Sequence, residues 1–302
     1  MITHPTVLVL GAGASIPYGF PSGLQLMNTI ITKLDSNSPN NFIKSLKEFS
    51  IADDEIRTFR DDLINSNALS VDAFLEYRPE FLNLGKLAIT LALIPLEEEH
   101  KLSDFTNRGE SWYANLFNKL NASFDAFSEN KLSIITFNYD RSIEHCLFKS
   151  MRSKYKKSDG ECAEKLSKLP MIHVHGRLGA LPWQGEKGRA YSPRADLLKL
   201  EEIKNVSEQI VVIPEAEDTS SEFEAAFRSM KIANFIYFLG FGYHEMNLRR
   251  LKTDELKSSS IRGTGFRLGR TAISAIRGKW RIDIPDPDQE VLQFLKDWAP
   301  LI

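Results

Sequence analysis

The chain has 302 residues, 42% hydrophobic and 26% charged, which is enough for one large α/β domain or two smaller ones. Its formal net charge of -2 gives no overall attraction to nucleic acid or membranes, and no apolar run reaches the about 18–20 residues that span a bilayer. The two cysteines, Cys146 and Cys162, exclude a disulfide framework and a four-cysteine zinc module, and without a signal-peptide pattern the expected location is the cytoplasm.

Short apolar segments alternate with longer amphipathic segments along the chain. The short segments are rich in β-branched and aromatic residues, which is typical of buried parallel strands. The six predicted strands are residues 7–10, 132–136, 171–175, 210–213, 234–239 and 280–284. This alternation predicts an α/β fold with a Rossmann-like, doubly wound and mostly parallel sheet.

The interval between the first two predicted strands is too long for a single crossover helix. We predict one domain over residues 1–302, with a helical insertion or subdomain at about 35–130 that begins in an exposed turn at 35–41. The helices predicted before and within this interval, from apolar residues three and four apart, are 24–34, 41–49, 54–64, 84–98 and 112–127.

Two later helices have recognisable starts. Ser221 with Glu224 three residues later predicts a capping box and a helix to about Ala233. Asp286, followed by a proline, predicts a second helix start that leads into residues 291–298.

The first predicted strand runs directly into a glycine-containing turn. Gly11 and Gly13 lack the Cβ atoms that would keep a pyrophosphate away from the main-chain N–H groups. A strand followed by a Gly-x-Gly turn predicts the start of a dinucleotide-binding site. Ser15 and Ile16 stand where the third glycine of the Rossmann fingerprint would fall, so a simple tight strand-to-helix turn is the alternative.

Three other predicted strands also end in polar or glycine-containing segments. The second is followed by Asn138 and Asp140, and the third ends in His175 and Gly176. The fifth opens into another Gly-x-Gly turn at Gly240. Because open α/β sheets bind ligands at the carboxyl ends of their strands, we expect these groups to meet in one crevice.

These segments together resemble the sirtuin-like NAD-consuming domains, and in particular the bacterial NADases of antiphage defence. The resemblance spans most of the chain, with the motifs in the family's order. The resembling residues are Gly11, Ala12, Gly13, Ala14, Ser15, Gly19, Pro21, Thr136, Asn138, Tyr139, Asp140, His175, Gly176, Leu239, Gly240, Phe241, Gly242 and Tyr243, with a weaker similarity at 70–75.

The resemblance implies a role for each matching residue. Asn138 would contact the nicotinamide ribose and position the reacting water, His175 would be the general base, and Asp140 would lie near the carboxamide of nicotinamide. NAD⁺ would be the substrate, no zinc is expected, and a homo-oligomer or a partner protein of the same defence system is implied. The residues expected to bind NAD⁺ are Gly11, Ala12, Gly13, Ser15, Pro21, Asp140, Gly176, Gly240, Phe241, Gly242 and Tyr243.

The chain departs from the protein-deacylating sirtuins at several positions. It lacks their zinc cysteines, Phe137 replaces the glutamine before the asparagine, and Ser22-Gly23-Leu24 replaces their Asp-Phe-Arg. We therefore expect an NAD⁺ glycohydrolase that releases nicotinamide and ADP-ribose, as a toxic effector of abortive infection. The alternatives are an NAD-dependent deacylase or ADP-ribosyltransferase, and a non-catalytic sensor of NAD or ADP-ribose.

The chemistry of nicotinamide release suits these residue types. Nicotinamide is already a cationic leaving group, so no acid has to protonate it, and the ribose passes through an oxocarbenium-like state. Fixed amide and backbone dipoles can stabilise that charge, and a neutral imidazole can accept a proton from water or a ribose hydroxyl.

Simpler structural roles remain open for the same residues. Asn138 could belong to a turn beside an Asp140 helix cap, and His175 could be a core histidine. His173 and His175 have the spacing of metal ligands on one strand face, but no third ligand is evident nearby. For Ser15, hydrogen bonding to phosphate fits better than a nucleophilic role. His244 could line the cofactor site or start a helix.

Two stretches of the chain are strongly basic. Residues 149–157 form one, and the segment from Arg249 to Arg281 is opposed only by Asp254 and Glu255. A solvated face is the ordinary explanation. The alternative is docking to a partner or to the acidic residues of the helical insertion, namely Asp53, Asp54, Glu97, Glu98 and Glu99.

Overall fold

The structure is a computed structural model that describes residues 1–35, 41–102, 110–185, 187–192, 198–212, 220–256 and 260–302. Its centre is a five-stranded parallel sheet with the strand order β3-β2-β1-β4-β5. The strands are β1 (Thr6–Leu10), β2 (Leu132–Thr136), β3 (Met171–His173), β4 (Phe235–Leu239) and β5 (Ser260–Gly263). Helices flank this sheet, so the predicted Rossmann-like α/β fold is confirmed.

Two of the six predicted strands are wrong. Residues 210–213 do not form a strand, because Ile210 makes only an isolated antiparallel bridge to Gly176, and Ile213 lies outside the described residues. Residues 280–284 also do not form a strand, because Trp280 is the last residue of a helix and Asp283 makes only an isolated parallel bridge to β5. The fifth strand, β5, was not predicted.

Fourteen α-helices are found in the described part of the chain. They are α1 (Gly23–Lys33), α2 (Phe42–Glu48), α3 (Asp53–Asn65), α4 (Val71–Leu75), α5 (Leu82–Leu93), α6 (Glu99–Leu102), α7 (Trp112–Lys119), α8 (Ser142–Tyr155), α9 (Asp159–Leu166), α10 (Leu200–Glu208), α11 (Ser221–Lys231), α12 (Glu245–Arg250), α13 (Arg270–Trp280) and α14 (Val291–Asp297). Helices α2 to α7 lie in the predicted insertion. The turn predicted at 35–41 lies outside the described residues at 36–40.

Two predicted helix starts are corrected. The N-cap of α11 is Ser220, whose hydroxyl accepts a hydrogen bond from the N–H of Phe223, so the prediction at Ser221 was one residue late. Asp286 caps no helix: its carboxylate accepts the N–H of Asp288 in a local turn, and α14 begins five residues later at Val291.

The sheet separates two hydrophobic cores. Alternate residues of β1 point to opposite faces, so Leu8 and Leu10 join one core while Val7 and Val9 join the other. The first core includes the insertion helices, α1 and α14. The second includes residues of α11, α12 and α13 and Ile261 of β5. The sheet is therefore covered on both sides, and its strand ends carry the polar groups.

Among the described residues, Pro79–Leu96 is long and apolar enough, by length and composition alone, to cross a membrane, with a mean hydropathy of 1.3. It contains Glu80 and Lys86, so it is not an uninterrupted apolar run. Its helix, α5, packs against α1, α2 and α10, and 56% of the segment is buried inside the protein. That burial is typical of a core helix.

A buried ion cluster ties the end of the insertion to later parts of the chain. Arg141 donates two hydrogen bonds to Glu97, at 2.8 Å each, and both side chains are completely buried. Arg189 contacts the same carboxylate at 2.6 Å. The remaining donors of Arg141 bind main-chain oxygens of Ala180, Arg189 and Ala190, so the cluster fixes the segment that follows β3.

Candidate functional site

The sheet order places two glycine turns side by side. The chain passes from β1 outward to β2 and β3, then returns to the other side of β1 as β4. The gap between β1 and β4 is therefore the topological switch point, where doubly wound sheets bind their ligands. Gly11 follows β1 and Gly240 follows β4, so both predicted turns lie at this point.

The two turns are in direct backbone contact. The N–H of Gly13 donates to the carbonyl oxygen of Gly240 at 2.9 Å, and a Cβ on Gly11 would lie 2.6 Å from that oxygen. Gly240 has a φ of 58°, and a Cβ there would clash with the main-chain N of Ala14. The absence of side chains at these glycines is thus explained by the close packing of the two turns, backbone against backbone. A Cβ on Gly242, which is exposed, would meet no atom within 4 Å.

The side chain of Asn138 points from the end of β2 to the first glycine turn. Its amide nitrogen donates to the carbonyl oxygen of Gly11 and lies the same distance, 3.0 Å, from the hydroxyl of Ser15. Because a carbonyl oxygen can only accept, the contact with Gly11 defines which end of the amide is nitrogen. Asn138 is only 8% exposed.

Asp140 lies at the start of α8 within a buried hydroxyl network. Its carboxylate accepts the N–H of Ser142 at 3.1 Å and also the hydroxyl of Ser142, whose oxygen lies 2.6 Å from that of Tyr113. Burial raises the pKa of Asp140 above its ordinary value, although hydrogen bonds from Ser142 and Ser15 oppose the shift. Asp140 therefore binds the first residue of α8, whose N-cap is Arg141, and Ser15 is engaged with protein groups.

His175 lies just beyond β3 and packs between aromatic rings. Its ring centroid is 5.5 Å from that of Phe137 and 5.9 Å from that of Phe223, and the residue is 6% exposed. Within the described part of the chain, its buried Nδ1 has no hydrogen-bond partner. Burial lowers the pKa of His175, against an opposing effect of the charge of Asp72. The imidazole is thus neutral at pH 7.

Helix α4 meets the site from the insertion. Asp72 accepts a hydrogen bond from the hydroxyl of Tyr139, and Glu76 forms an ion pair with Arg250 at 2.9 Å. Helix α4 belongs to the first core and α12 to the second, so this buried ion pair joins the two layers. The negative charges of Asp72 and Glu76 raise the pKa of His175, and the positive charge of Arg250 lowers it.

Among the other residues predicted to bind NAD⁺, Tyr243, Phe241 and Gly176 lie close against protein groups. The Tyr243 hydroxyl donates to the carbonyl oxygen of Thr264 at 2.8 Å, and burial raises the pKa of Tyr243. Phe241 packs edge-on against Phe137. Gly176 has a φ of 74°, and a Cβ there would clash with the Gln209 carbonyl.

Three further predicted positions differ in their exposure. Ala12 and Pro21 are half-buried, and Pro21 immediately precedes Ser22, the N-cap of α1. His244 is exposed and precedes α12. His244 also lines an open cleft of about 510 Å³ beside α3, α4 and Tyr77.

A buried pair that the sequence analysis missed lies under Asn138. His173 Nε2 is 2.6 Å from a Glu144 carboxylate oxygen, and His173 Nδ1 is 3.0 Å from the main-chain oxygen of Asn138. Both ring nitrogens are therefore engaged by protein groups. No set of three or more His, Cys, Asp or Glu side chains in the described residues is arranged to hold a metal ion.

The basic segments form ion pairs within the chain. Lys149 contacts Glu99 of the insertion at 2.6 Å, and Arg250 pairs with Glu76. The other pairs of the second segment are Arg249 with Glu245, Lys279 with Glu245, Lys252 with Glu224, and Arg277 with Asp283. Lys257 lies outside the described residues.

The comparisons with known proteins add no assignment to this geometry. No model of a protein family matches the chain, and no curated protein matches it significantly.

Proposed function

We propose that the protein is an NAD⁺ glycohydrolase, which cleaves the bond between nicotinamide and ribose to give nicotinamide and ADP-ribose. The observation that carries this proposal is the common edge of the sheet shared by Asn138, His175 and the two glycine turns. Asn138 and His175 follow the neighbouring strands β2 and β3, and Gly11 and Gly240 flank the switch point. A dinucleotide spanning that edge would pass the glycine turns and reach both side chains.

The state of each side chain supports its proposed role. The neutral imidazole of His175 can accept a proton from water or a ribose hydroxyl, an effect typically of about 10²–10⁴-fold in rate. The Asn138 amide is held by the Gly11 carbonyl, so its dipole is fixed before the ribose arrives. A cationic nicotinamide leaves without a proton, so no general acid is required.

The low exposure of both residues supports a resting form that has to open. Asn138 and His175 are only 8% and 6% exposed, so a ligand that touches both side chains must first displace the groups that cover them. An enzyme that destroys NAD⁺ is harmful to its own cell, so a closed resting form suits a toxic effector. We propose abortive infection as the biological role on the resemblance alone, with an oligomer or a partner protein as the trigger.

His175→Ala tests this function against the alternatives. A glycohydrolase loses nicotinamide release in this variant but retains most of its NAD⁺ binding, since the ring contacts the reacting atoms rather than the phosphates. Product formation is followed by chromatography and NAD⁺ binding by titration calorimetry. A wild-type protein that binds NAD⁺ without consuming it, both alone and with the products of its neighbouring genes, is a sensor. One that consumes NAD⁺ only with an acylated peptide or an acceptor protein is a deacylase or a transferase.

A further inference from the structure

Two buried ionisable side chains beneath Asn138 have no part in the proposed reaction. His173 ends β3, and Glu144 lies in the first turn of α8. Their side chains are 6% and 1% exposed, and the imidazole lies between the Glu144 carboxylate at 2.6 Å and the main-chain oxygen of Asn138 at 3.0 Å. The ring therefore bridges a helix and the segment that carries Asn138.

The hydrogen bonds define where the protons are. The carbonyl oxygen of Asn138 can only accept, so Nδ1 of His173 carries a hydrogen. Burial raises the pKa of Glu144, but the charge and hydrogen bond of His173 outweigh it and hold that pKa below its ordinary value. The 2.6 Å contact between Nε2 and the Glu144 carboxyl is a hydrogen bond in which the two groups share one proton. His173 therefore donates from Nδ1 to Asn138 while Glu144 holds Nε2.

We propose that His173, oriented by Glu144, is a positioning residue that fixes the main chain of Asn138 for the proposed NAD⁺ cleavage. The main-chain N–H of Asn138 donates to the Thr136 hydroxyl at 3.0 Å, and its carbonyl accepts from His173. With both main-chain groups held, the amide is directed at Gly11. The catalytic consequence rests on the proposed function, whereas the hydrogen bond from Nδ1 of His173 to Asn138 does not.

The hydrogen bond between His173 and Glu144 is suited to fixing the position of Asn138. A short charge-assisted bond between buried groups is stronger than a neutral one and fixes direction as well as distance. Its loss leaves Asn138 in place but free to tilt, and a misplacement of about 1 Å can cost about 10²-fold in rate. Binding of the dinucleotide through the glycine turns depends little on that tilt. The expected signature is a fall in kcat with little change in KM.

Four variants test this inference by NAD⁺ turnover. His173→Phe keeps a ring without donors, and we expect kcat to fall by about 10²-fold with KM little changed. Glu144→Ala removes the orienting carboxylate and should behave similarly. Glu144→Gln should retain most of kcat, because its amide can donate to Nε2 of a neutral ring that still donates from Nδ1. The matched control is His4→Phe, at an exposed histidine before β1, which should keep wild-type kcat.

The fold and the ring protons are checked without turnover. Thermal unfolding shows whether each variant folds. If His173→Phe does not fold, the inference is tested by comparing the kcat of Glu144→Ala with that of Glu144→Gln. Nitrogen-15 correlation spectra of the wild-type imidazoles should show a hydrogen on Nδ1 of His173. A kcat in His173→Phe and Glu144→Ala equal to that of His4→Phe overturns the inference while leaving the glycohydrolase intact. An unprotonated Nδ1 overturns it whatever the protein does to NAD⁺.

Discussion

The imidazole of His175 combines deep burial with an unused hydrogen-bonding nitrogen. It packs against Phe137 and Phe223, and its Nδ1 has no partner among the described residues. The pKa of this ring is lowered by burial, while the negative charge of Asp72 limits the shift. A buried base that is neutral near pH 7 is ready to accept a proton once substrate enters.

This lowered pKa predicts how stability depends on pH. In the unfolded chain His175 takes up a proton as the pH falls below about 6.5, whereas in the folded protein it does so only at lower pH. The unfolded state therefore binds more protons in that window, and the free energy of unfolding should fall as the pH is lowered through it. Urea titrations from pH 8 to pH 5 measure this slope. The slope should be smaller in His175→Gln, and an unchanged slope would show that the ring is not held neutral.

Individual residues differed in how far the sequence could predict them. Asn138 and His175 could be placed at one sheet edge, because the carboxyl ends of neighbouring parallel strands lie together. The pairing of His173 with Glu144 could not be predicted, since 29 residues separate them and no local pattern links a strand end to that helix position. Ser15 was expected to bind phosphate, and its 3.0 Å contact with the Asn138 amide could not be predicted, since 123 residues separate the two.

The glycine turns could be predicted as elements, but the group that packs against them could not. A Gly-x-Gly after a strand predicts close approach by a bulky group, and at Gly11 and Gly13 that group includes the Gly240 turn. The periodic elements were largely predictable, and β2 has the predicted bounds. β5 was missed because Ser260–Gly263 contains one large apolar residue, Ile261, which is too little for a hydrophobic pattern.

Two alanine substitutions test how the turns pack. Gly240→Ala should lower the free energy of unfolding by about 1–3 kcal/mol through its left-handed backbone alone, with the clash against Ala14 adding to this. Gly242→Ala is the matched control, because a Cβ there meets no atom within 4 Å, and it should change stability by less than about 0.5 kcal/mol. Urea unfolding of both variants measures the difference. Equal losses would mean that the turns do not pack as described.

Across the whole molecule, long-range polar contacts connect the insertion to the site. The Glu97 carboxylate holds Arg141, which directly follows Asp140, and Glu76 of the insertion holds Arg250 of α12. The two residues of the first pair are 44 positions apart in the sequence, and those of the second pair are 174 positions apart. Composition and periodicity could therefore predict the α/β architecture but not these connections. The insertion is therefore part of the site's structure.

The most direct measurement is the release of nicotinamide from NAD⁺ by the wild-type chain and by Asn138→Ala, resolved by chromatography. Each protein is assayed alone and co-expressed with the products of its neighbouring genes, so that an activator is supplied. We expect nicotinamide and ADP-ribose from the wild type, and a rate about 10²–10³-fold lower from Asn138→Ala, because the fixed amide dipole is lost. Equal rates from the two proteins, or no nicotinamide from the wild type in either setting, would contradict the account.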